Sequence, residues 1–72
     1  MQLEYLLVTY SSTQTVSADD TSIGVTNHIL MLPAGDYTIS LSGVQTVPPT
    51  VDISLNGTTV VRPQVVAFNP AD

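Results

Sequence analysis

The chain has 72 residues, a formal charge of −5, no cysteine and a hydrophobic content of 43%. A chain of this length forms one small domain, which buries only about 60% of the surface that its unfolded form exposes. The absence of cysteine excludes disulfides and thiolate metal sites, so tight packing or self-association must stabilise the fold. Because binding to phosphate groups requires several cationic side chains and the chain has only Arg62, nucleic acids and anionic membrane surfaces are excluded as partners.

The first predicted strand runs from Leu3 to Tyr10 and has apolar side chains on both faces. One face carries Leu3, Tyr5 and Leu7, and the other carries Leu6, Val8 and Tyr10. Because a two-layer sandwich buries only one face of each strand, we expect the second set to form an exposed apolar stripe. The sequence therefore predicts a homo-oligomer, most simply a two-fold dimer, that associates through Leu6, Val8 and Tyr10.

The N-terminal segment does not resemble a signal peptide, because it lacks a basic leader and Glu4 interrupts its short apolar run. No apolar stretch elsewhere is long enough to cross a bilayer, so membrane insertion is not expected. These features by themselves assign no compartment.

Residues 14–26 predict two short strands joined by a turn at Asp19-Asp20-Thr21. Aspartate side chains cap such turns by accepting hydrogen bonds from backbone N–H groups. Calcium binding requires six to eight oxygen ligands, which is more than this segment supplies, so we interpret both aspartates as turn residues and not as metal ligands. Gly24, inside the second strand, predicts a β-bulge or a positive φ.

The strongest local pattern lies in residues 28–42, where two strands flank the turn Pro33-Ala34-Gly35-Asp36. The first strand, His28 to Leu32, is apolar, and the second, Asp36 to Ser42, alternates between polar and apolar residues. The apolar face of the second strand carries Tyr37, Ile39 and Leu41. Alternation on both sides of a Pro/Gly turn is typical of an antiparallel hairpin, so we expect these two strands to pair.

The C-terminal third predicts a loop, a strand, a hairpin turn and an edge strand. Paired prolines place residues 43–49 in a loop, because proline cannot lie within a central strand. The next strand, Thr50 to Leu55, alternates, and its expected inward residues are Val51, Ile53 and Leu55. Asn56-Gly57 predicts a type I′ hairpin that leads into residues 58–68, where Pro63 indicates an edge strand or a bulge. Residues 69–72 are expected to form a tail.

These elements predict an all-β fold, a small antiparallel β-sandwich of about six or seven short strands in a single domain, 1–72. No segment has the length and periodicity of an amphipathic helix. The residues expected to form the centre of the core are Ile39, Leu41, Val51, Ile53 and Leu55.

Several turns and strands between Val16 and Phe68 follow an order that is known from one small β-sandwich family. The matching segments are Asp19-Asp20, Gly24-Val25-Thr26, Ile29 to Leu32, Pro33-Ala34-Gly35-Asp36-Tyr37 and Asn56-Gly57. In this order the chain resembles the PEGA domain, which is named for a Pro-Glu-Gly-Ala-type turn. The first turn lacks the family's glycine, Asn27 replaces a proline, and Gly43-Val44 replaces a Gly-Tyr step. The strand at residues 3–10 lies outside the pattern.

The resemblance implies a non-catalytic module, often attached to surface or envelope proteins, that binds proteins or glycans. It brings no assigned functional residues. We therefore expect a structural or protein-interaction module that contacts protein by surface complementarity or by strand addition at an open edge. A small carbohydrate-binding module and a phage or virion structural component are the alternatives. The same resemblance implies a location at the cell surface or envelope.

No set of side chains predicts catalysis, a cofactor or a metal ion, so we expect no enzymatic activity. His28, the single histidine, has neither a nucleophile with an orienting acid nor metal-ligating neighbours. We expect it to be a partly buried or strand-end residue. Among the three tyrosines, Tyr37 is expected in the core, and Tyr10 is the one candidate for an exposed platform against which a sugar ring stacks.

Overall fold

The computed structural model describes residues 2–71. These residues form nine strands, joined by turns and loops, and no helix. The strands are β1 (Leu3–Thr9), β2 (Thr15–Ala18), β3 (Thr21–Val25), β4 (Ile29–Pro33), β5 (Gly35–Leu41), β6 (Thr46–Val47), β7 (Val51–Leu55), β8 (Gln64–Ala67) and β9 (Asn69–Pro70). The predicted all-β class is confirmed. The structure has more strands than predicted because β6 and β9, each of two residues, lie in segments expected to be loop and tail.

Two sheets form the layers of the sandwich. Sheet A has the order β4-β1-β8, and sheet B has the order β3-β2-β5-β7. Strand β1 pairs antiparallel with β4 and parallel with β8, whereas all neighbours in sheet B are antiparallel. A third, two-stranded sheet joins β6 to β9. Each of the two larger sheets buries one apolar face against the other, and stacking them covers both faces at once.

The core consists of apolar side chains from the facing sides of sheets A and B. Its buried members are Leu6, Val8, Val16, Ala18, Leu30, Ile39, Leu41, Leu55, Val66 and Phe68. Val51 and Ile53 are half-buried and pack against this cluster. The predicted inward residues of β5 and β7 are therefore confirmed, with Leu55 fully buried and the two residues before it on the same face only partly covered.

The β2–β3 connection confirms the predicted turn at Asp19 and Asp20. Both residues have positive φ angles, 50° and 67°, as the central residues of a type I′ hairpin require. Ala18 and Thr21 pair on either side of the turn. The Asp19 N–H donates to the Thr38 carbonyl oxygen at 2.9 Å, and Asp19 Oδ1 accepts from the Thr38 N–H at 2.9 Å. Asp19 thus attaches the turn to β5 instead of capping the turn itself.

Strand β3 contains the bulge that Gly24 predicts. The pairing of β2 with β3 changes register between Val16 and Ser17, so Ile23 is the extra residue on β3. Gly24 has a φ of 153°, and a Cβ at this position would collide with the side chain of Leu30. The glycine therefore permits both the bulge and the close approach of β4 to β3.

The predicted hairpin between the strands that flank Pro33-Ala34-Gly35-Asp36 is wrong. Strand β4 pairs with β1 in sheet A, and β5 pairs with β2 and β7 in sheet B. Only Ala34 separates the two strands, which is shorter than the two-residue turn of a tight hairpin. The chain instead turns a corner from one layer to the other, and the Tyr37 hydroxyl donates to the Pro33 carbonyl oxygen across this corner at 2.5 Å.

The predicted type I′ hairpin at Asn56-Gly57 is also wrong, although Gly57 has the expected positive φ of 71°. Within residues 2–71, Asn56 is not among the non-glycine residues with a positive φ, and β7 does not pair with β8. Residues 56–63 cross from sheet B back to sheet A, because β7 lies in sheet B and β8 lies in sheet A. Strand β8 begins directly after Pro63 at the edge of sheet A, which confirms the predicted edge strand.

The C-terminal segment is a short strand rather than the predicted tail. Asn69 and Pro70 form β9 and pair with Val47 and Thr46 of β6. The Ala71 N–H then donates to the Gln45 carbonyl oxygen at 3.1 Å. Asp72 lies outside the described residues. Residues 69–71 are thus bound through their backbone to the proline-containing loop.

Candidate interaction surface

The solvent side of sheet A is apolar across all three strands. Residues directly opposite each other in a sheet share a face, so the register of β1 with its two neighbours identifies the side chains on each side. The outer A face consists of Leu3, Tyr5, Leu7 and Thr9 from β1, Ile29, Met31 and Pro33 from β4, and Val65 and Ala67 from β8. Eight of these nine side chains are apolar or aromatic, and none is charged.

The outer A face is open to solvent at its margins. Met31 is 58% exposed, Val65 is 54% exposed and Leu3 is 45% exposed. Tyr5 and Leu7, on the central strand, are half-buried between these neighbours. Single exposed apolar residues are ordinary on protein surfaces, whereas a contiguous apolar face on a sheet indicates a surface that is covered in use.

The predicted self-association stripe of Leu6, Val8 and Tyr10 is on the wrong side of β1. Leu6 and Val8 are 0% exposed and belong to the core, and Tyr10 is half-buried against it. The reason is that β1 is the middle strand of sheet A, so one of its faces packs entirely on sheet B. Strand β1 does have two apolar faces, as expected. The face that sheet B leaves uncovered is the one that carries Leu3, Tyr5 and Leu7.

A buried acid, Glu4, lies on the inner face of β1. It is 1% exposed, and its Oε1 accepts from the Thr58 N–H at 2.7 Å and from the Thr58 hydroxyl at 2.8 Å. Its Oε2 accepts from Gln2 Nε2 at 2.8 Å. The Thr58 backbone N–H, followed by its hydroxyl, lowers the pKa of Glu4, and burial opposes this shift only in part.

Thr58 also binds the backbone of β1 next to Glu4, in the part of the strand that β8 does not pair with. Its Oγ1 accepts a hydrogen bond from the Tyr5 N–H at 2.6 Å, so one threonine serves both the carboxylate and the strand backbone. This pairing joins residues 54 positions apart, and no local pattern in the sequence indicates it. Strand alternation places this acid on the inner face of β1, and Thr58 supplies the hydrogen bonds that its buried carboxylate requires.

The solvent side of sheet B is polar and forms the outer B face. Ser54 Oγ donates to Asp36 Oδ1 at 2.8 Å, and Thr38 Oγ1 donates to Asp52 Oδ1 at 2.8 Å. Together with Asp19, these residues line an open depression of about 450 Å³. Within residues 2–71, no group of three or more His, Cys, Asp or Glu side chains is arranged to hold a metal ion. The depression is a hydrogen-bonded and solvated surface.

The remaining candidate residues take ordinary structural positions. His28 is exposed immediately before β4, as expected for a strand-end residue. Tyr37 is half-buried against the core. Tyr10 is half-buried and is therefore not the exposed platform considered for a sugar. Its N–H donates to Asn27 Oδ1 at 3.2 Å, and its carbonyl oxygen accepts from Asn27 Nδ2 at 3.1 Å.

The described part of the chain contains no helix that is long and apolar enough to cross a membrane. Comparisons with protein-family models, with curated proteins and with solved structures found no match.

Proposed function

We propose that this protein is a non-catalytic structural module that acts by binding another protein through the outer A face. The observation that supports this function is the unbroken apolar surface across three strands, with no charged side chain and with Met31 and Val65 more than half exposed. Removing such a surface from water contributes about 25 cal/mol of favourable binding free energy per Å² of apolar area. Binding of this kind requires no catalytic or charged group at the site.

A protein partner suits this surface better than a sugar does. Sugar hydroxyls require hydrogen-bonding groups next to an exposed aromatic ring, because burying an unpaired hydroxyl is costly. The outer A face has a single hydroxyl-bearing aliphatic residue, Thr9, and its one aromatic ring, Tyr5, is half-buried. Apolar side chains of another protein need no such groups.

The PEGA resemblance is consistent with this proposal, since it implies a non-catalytic binding module. A location at the cell surface or envelope is proposed on that resemblance alone. A structural component of a phage or virion is the alternative setting, and it would use the same apolar face for assembly.

The test is site-specific photo-crosslinking in the cells that make the protein. A photoreactive phenylalanine derivative replaces Met31, and in a control it replaces Thr50, an exposed residue that precedes β7 in sheet B. We expect one protein adduct of defined mass from position 31 and none from position 50. Adding Val65→Lys to the position-31 variant should remove the adduct. No adduct at position 31, or equal adducts at both positions, would contradict the proposed function.

A further inference from the structure

We infer that the protein bound to the outer A face is a second copy of this chain, so that two sheets A pack face to face in a two-fold dimer. The inference rests on the proposed function and names its partner. Three properties of the surface bear on a second copy: the placement of charge, the packing that two-fold symmetry permits, and the area, which sets the strength of the association.

The first property is that the five acids within residues 2–71 lie away from the outer A face. Asp36 and Asp52 are on the outer B face, Asp19 and Asp20 are in the β2–β3 turn, and Glu4 is buried. Two copies carrying −5 each repel through any surface that contains these acids. Face-to-face packing of sheets A separates the two outer B faces by about 30 Å, since stacked sheets lie about 10 Å apart. That distance is about three Debye lengths or more at physiological ionic strength.

The second property is that the face can pack on its own copy about a two-fold axis. An axis that lies midway between the two sheets and parallel to them places β1 across β1 of the partner. Met31 and Val65 on the flanking strands are more than half exposed, so they supply much of the apolar surface that the second copy covers. The side chain of Met31 is flexible and adapts to the facing surface. Sheets A and B already pack face to face through their inner sides.

The third property, area, predicts a weak dimer. Three strands about 4.8 Å apart, of seven, five and four residues at about 3.3 Å per residue, give a flat face of roughly 250 Å². A standard interface uses about 800 Å² of accessible surface on each partner. We therefore expect reversible association with a dissociation constant in the micromolar range or weaker.

Sedimentation equilibrium tests the association, with samples from micromolar to millimolar concentration. We expect the mass to rise from 7.6 kDa toward twice that value. Met31→Lys should abolish the rise even though it reduces the net charge from −5 to −4 and so weakens repulsion. Thr50→Lys makes the same charge change away from the face and should leave the rise intact. A mass of 7.6 kDa at every concentration, or equal loss in both variants, would overturn the inference.

Engineered cysteines test the geometry, and the chain offers a clean background because it has none of its own. With a short bis-maleimide, Met31→Cys is expected to give a covalent dimer, whereas Ser54→Cys on the outer B face should not. Cross-linking of Ser54→Cys alone would overturn the inference. A monomer by sedimentation whose position-31 photo-adduct is a different protein would also overturn it, but would leave the proposed protein-binding function standing.

Discussion

The two outer faces of this sandwich have opposite chemistry although their inner faces are alike. On the outer B face, Ser54 and Thr38 donate to the aspartates directly opposite them. On the outer A face, Met31 is opposite Tyr5, and the surrounding positions are aliphatic. The inner faces specify the fold, so the difference between the outer faces carries the information about what each one contacts.

The difference in chemistry also determines the free-energy cost of removing each outer face from water. Covering the outer B face would remove carboxylates from water, which is unfavourable unless a partner supplies counter-charges or donors. Covering the outer A face removes almost only apolar surface, because its neighbouring acid, Glu4, already has its hydrogen bonds inside the protein. One side of the molecule is therefore suited to contact with water, whereas the other can be removed from water at little cost.

The largest expected effect distinguishes the two faces of β1. Leu6→Ala removes a fully buried side chain and should lower the free energy of unfolding by about 2–5 kcal/mol. Leu7→Ala removes a half-exposed neighbour and should cost only about 1 kcal/mol. Urea unfolding at low micromolar concentration measures both changes. A greater loss for Leu7→Ala would mean that the faces are assigned the wrong way round.

The second effect concerns residues 56–63, the crossover in which Thr58 binds the buried Glu4 carboxylate. Thr58→Val deletes the hydroxyl that accepts from the Tyr5 N–H, and leaving such a group unpaired costs about 1–3 kcal/mol. Gly57→Ala places a methyl group in open space at a φ of 71°, for which the backbone strain is about 1 kcal/mol. Thermal unfolding of both variants should rank Thr58→Val as the more damaging. The reverse order would indicate that turn strain, and not the Glu4–Thr58 contact, controls this segment.

Side-chain direction was predictable from the sequence, whereas strand partners were not. Alternation is a local property, so Ile39, Leu41 and Leu55 are correctly assigned to the core. Pairing depends on which strand lies alongside, and alternation carries no information on that point. The corner at Ala34 therefore has the signature of a hairpin although its strands belong to different sheets.

The candidate surface was only half predictable for the same reason. Two apolar faces on β1 are evident in the sequence, but Glu4 shares a face with Leu6 and Val8 and so suggests that this side is exposed. The carboxylate is instead satisfied by Thr58, 54 positions away. The outer A face also requires β4 and β8 to flank β1, and both pairings are long-range.

A third prediction uses pH to test the inward acid. Hydrogen bonds from Thr58 lower the pKa of Glu4 in the folded protein. Its contribution to stability is therefore complete above the pKa of the unfolded state and is lost as the pH falls through the folded pKa. Urea midpoints measured from neutral to acidic pH should fall less steeply in Glu4→Gln than in the wild type. Gln2→Ala retains both Thr58 hydrogen bonds and should keep most of the acid sensitivity, so an equal flattening in the two variants would contradict this assignment.

The smallest expected effect compares the outer faces directly. Ser54→Ala removes an exposed hydrogen bond to Asp36, and Met31→Ser removes an exposed apolar side chain. Each should change the free energy of unfolding of the monomer by no more than about 0.5 kcal/mol, because exposed substitutions rarely exceed this value. Denaturation at micromolar concentration measures that value, and the same variants at millimolar concentration report on association.

The unfolding midpoints of these two variants should differ increasingly as the protein concentration is raised. Association stabilises the folded chain by mass action, so the midpoint of wild-type unfolding should rise as the protein concentration increases. Ser54→Ala should retain this rise, because the outer B face stays in water in the dimer. Met31→Ser should lose it, because Met31 is an exposed apolar side chain of the outer A face, opposite Tyr5 of the central strand. If both variants kept the rise, the apolar face would contribute nothing to association, and the contrast between the two faces would have no functional meaning.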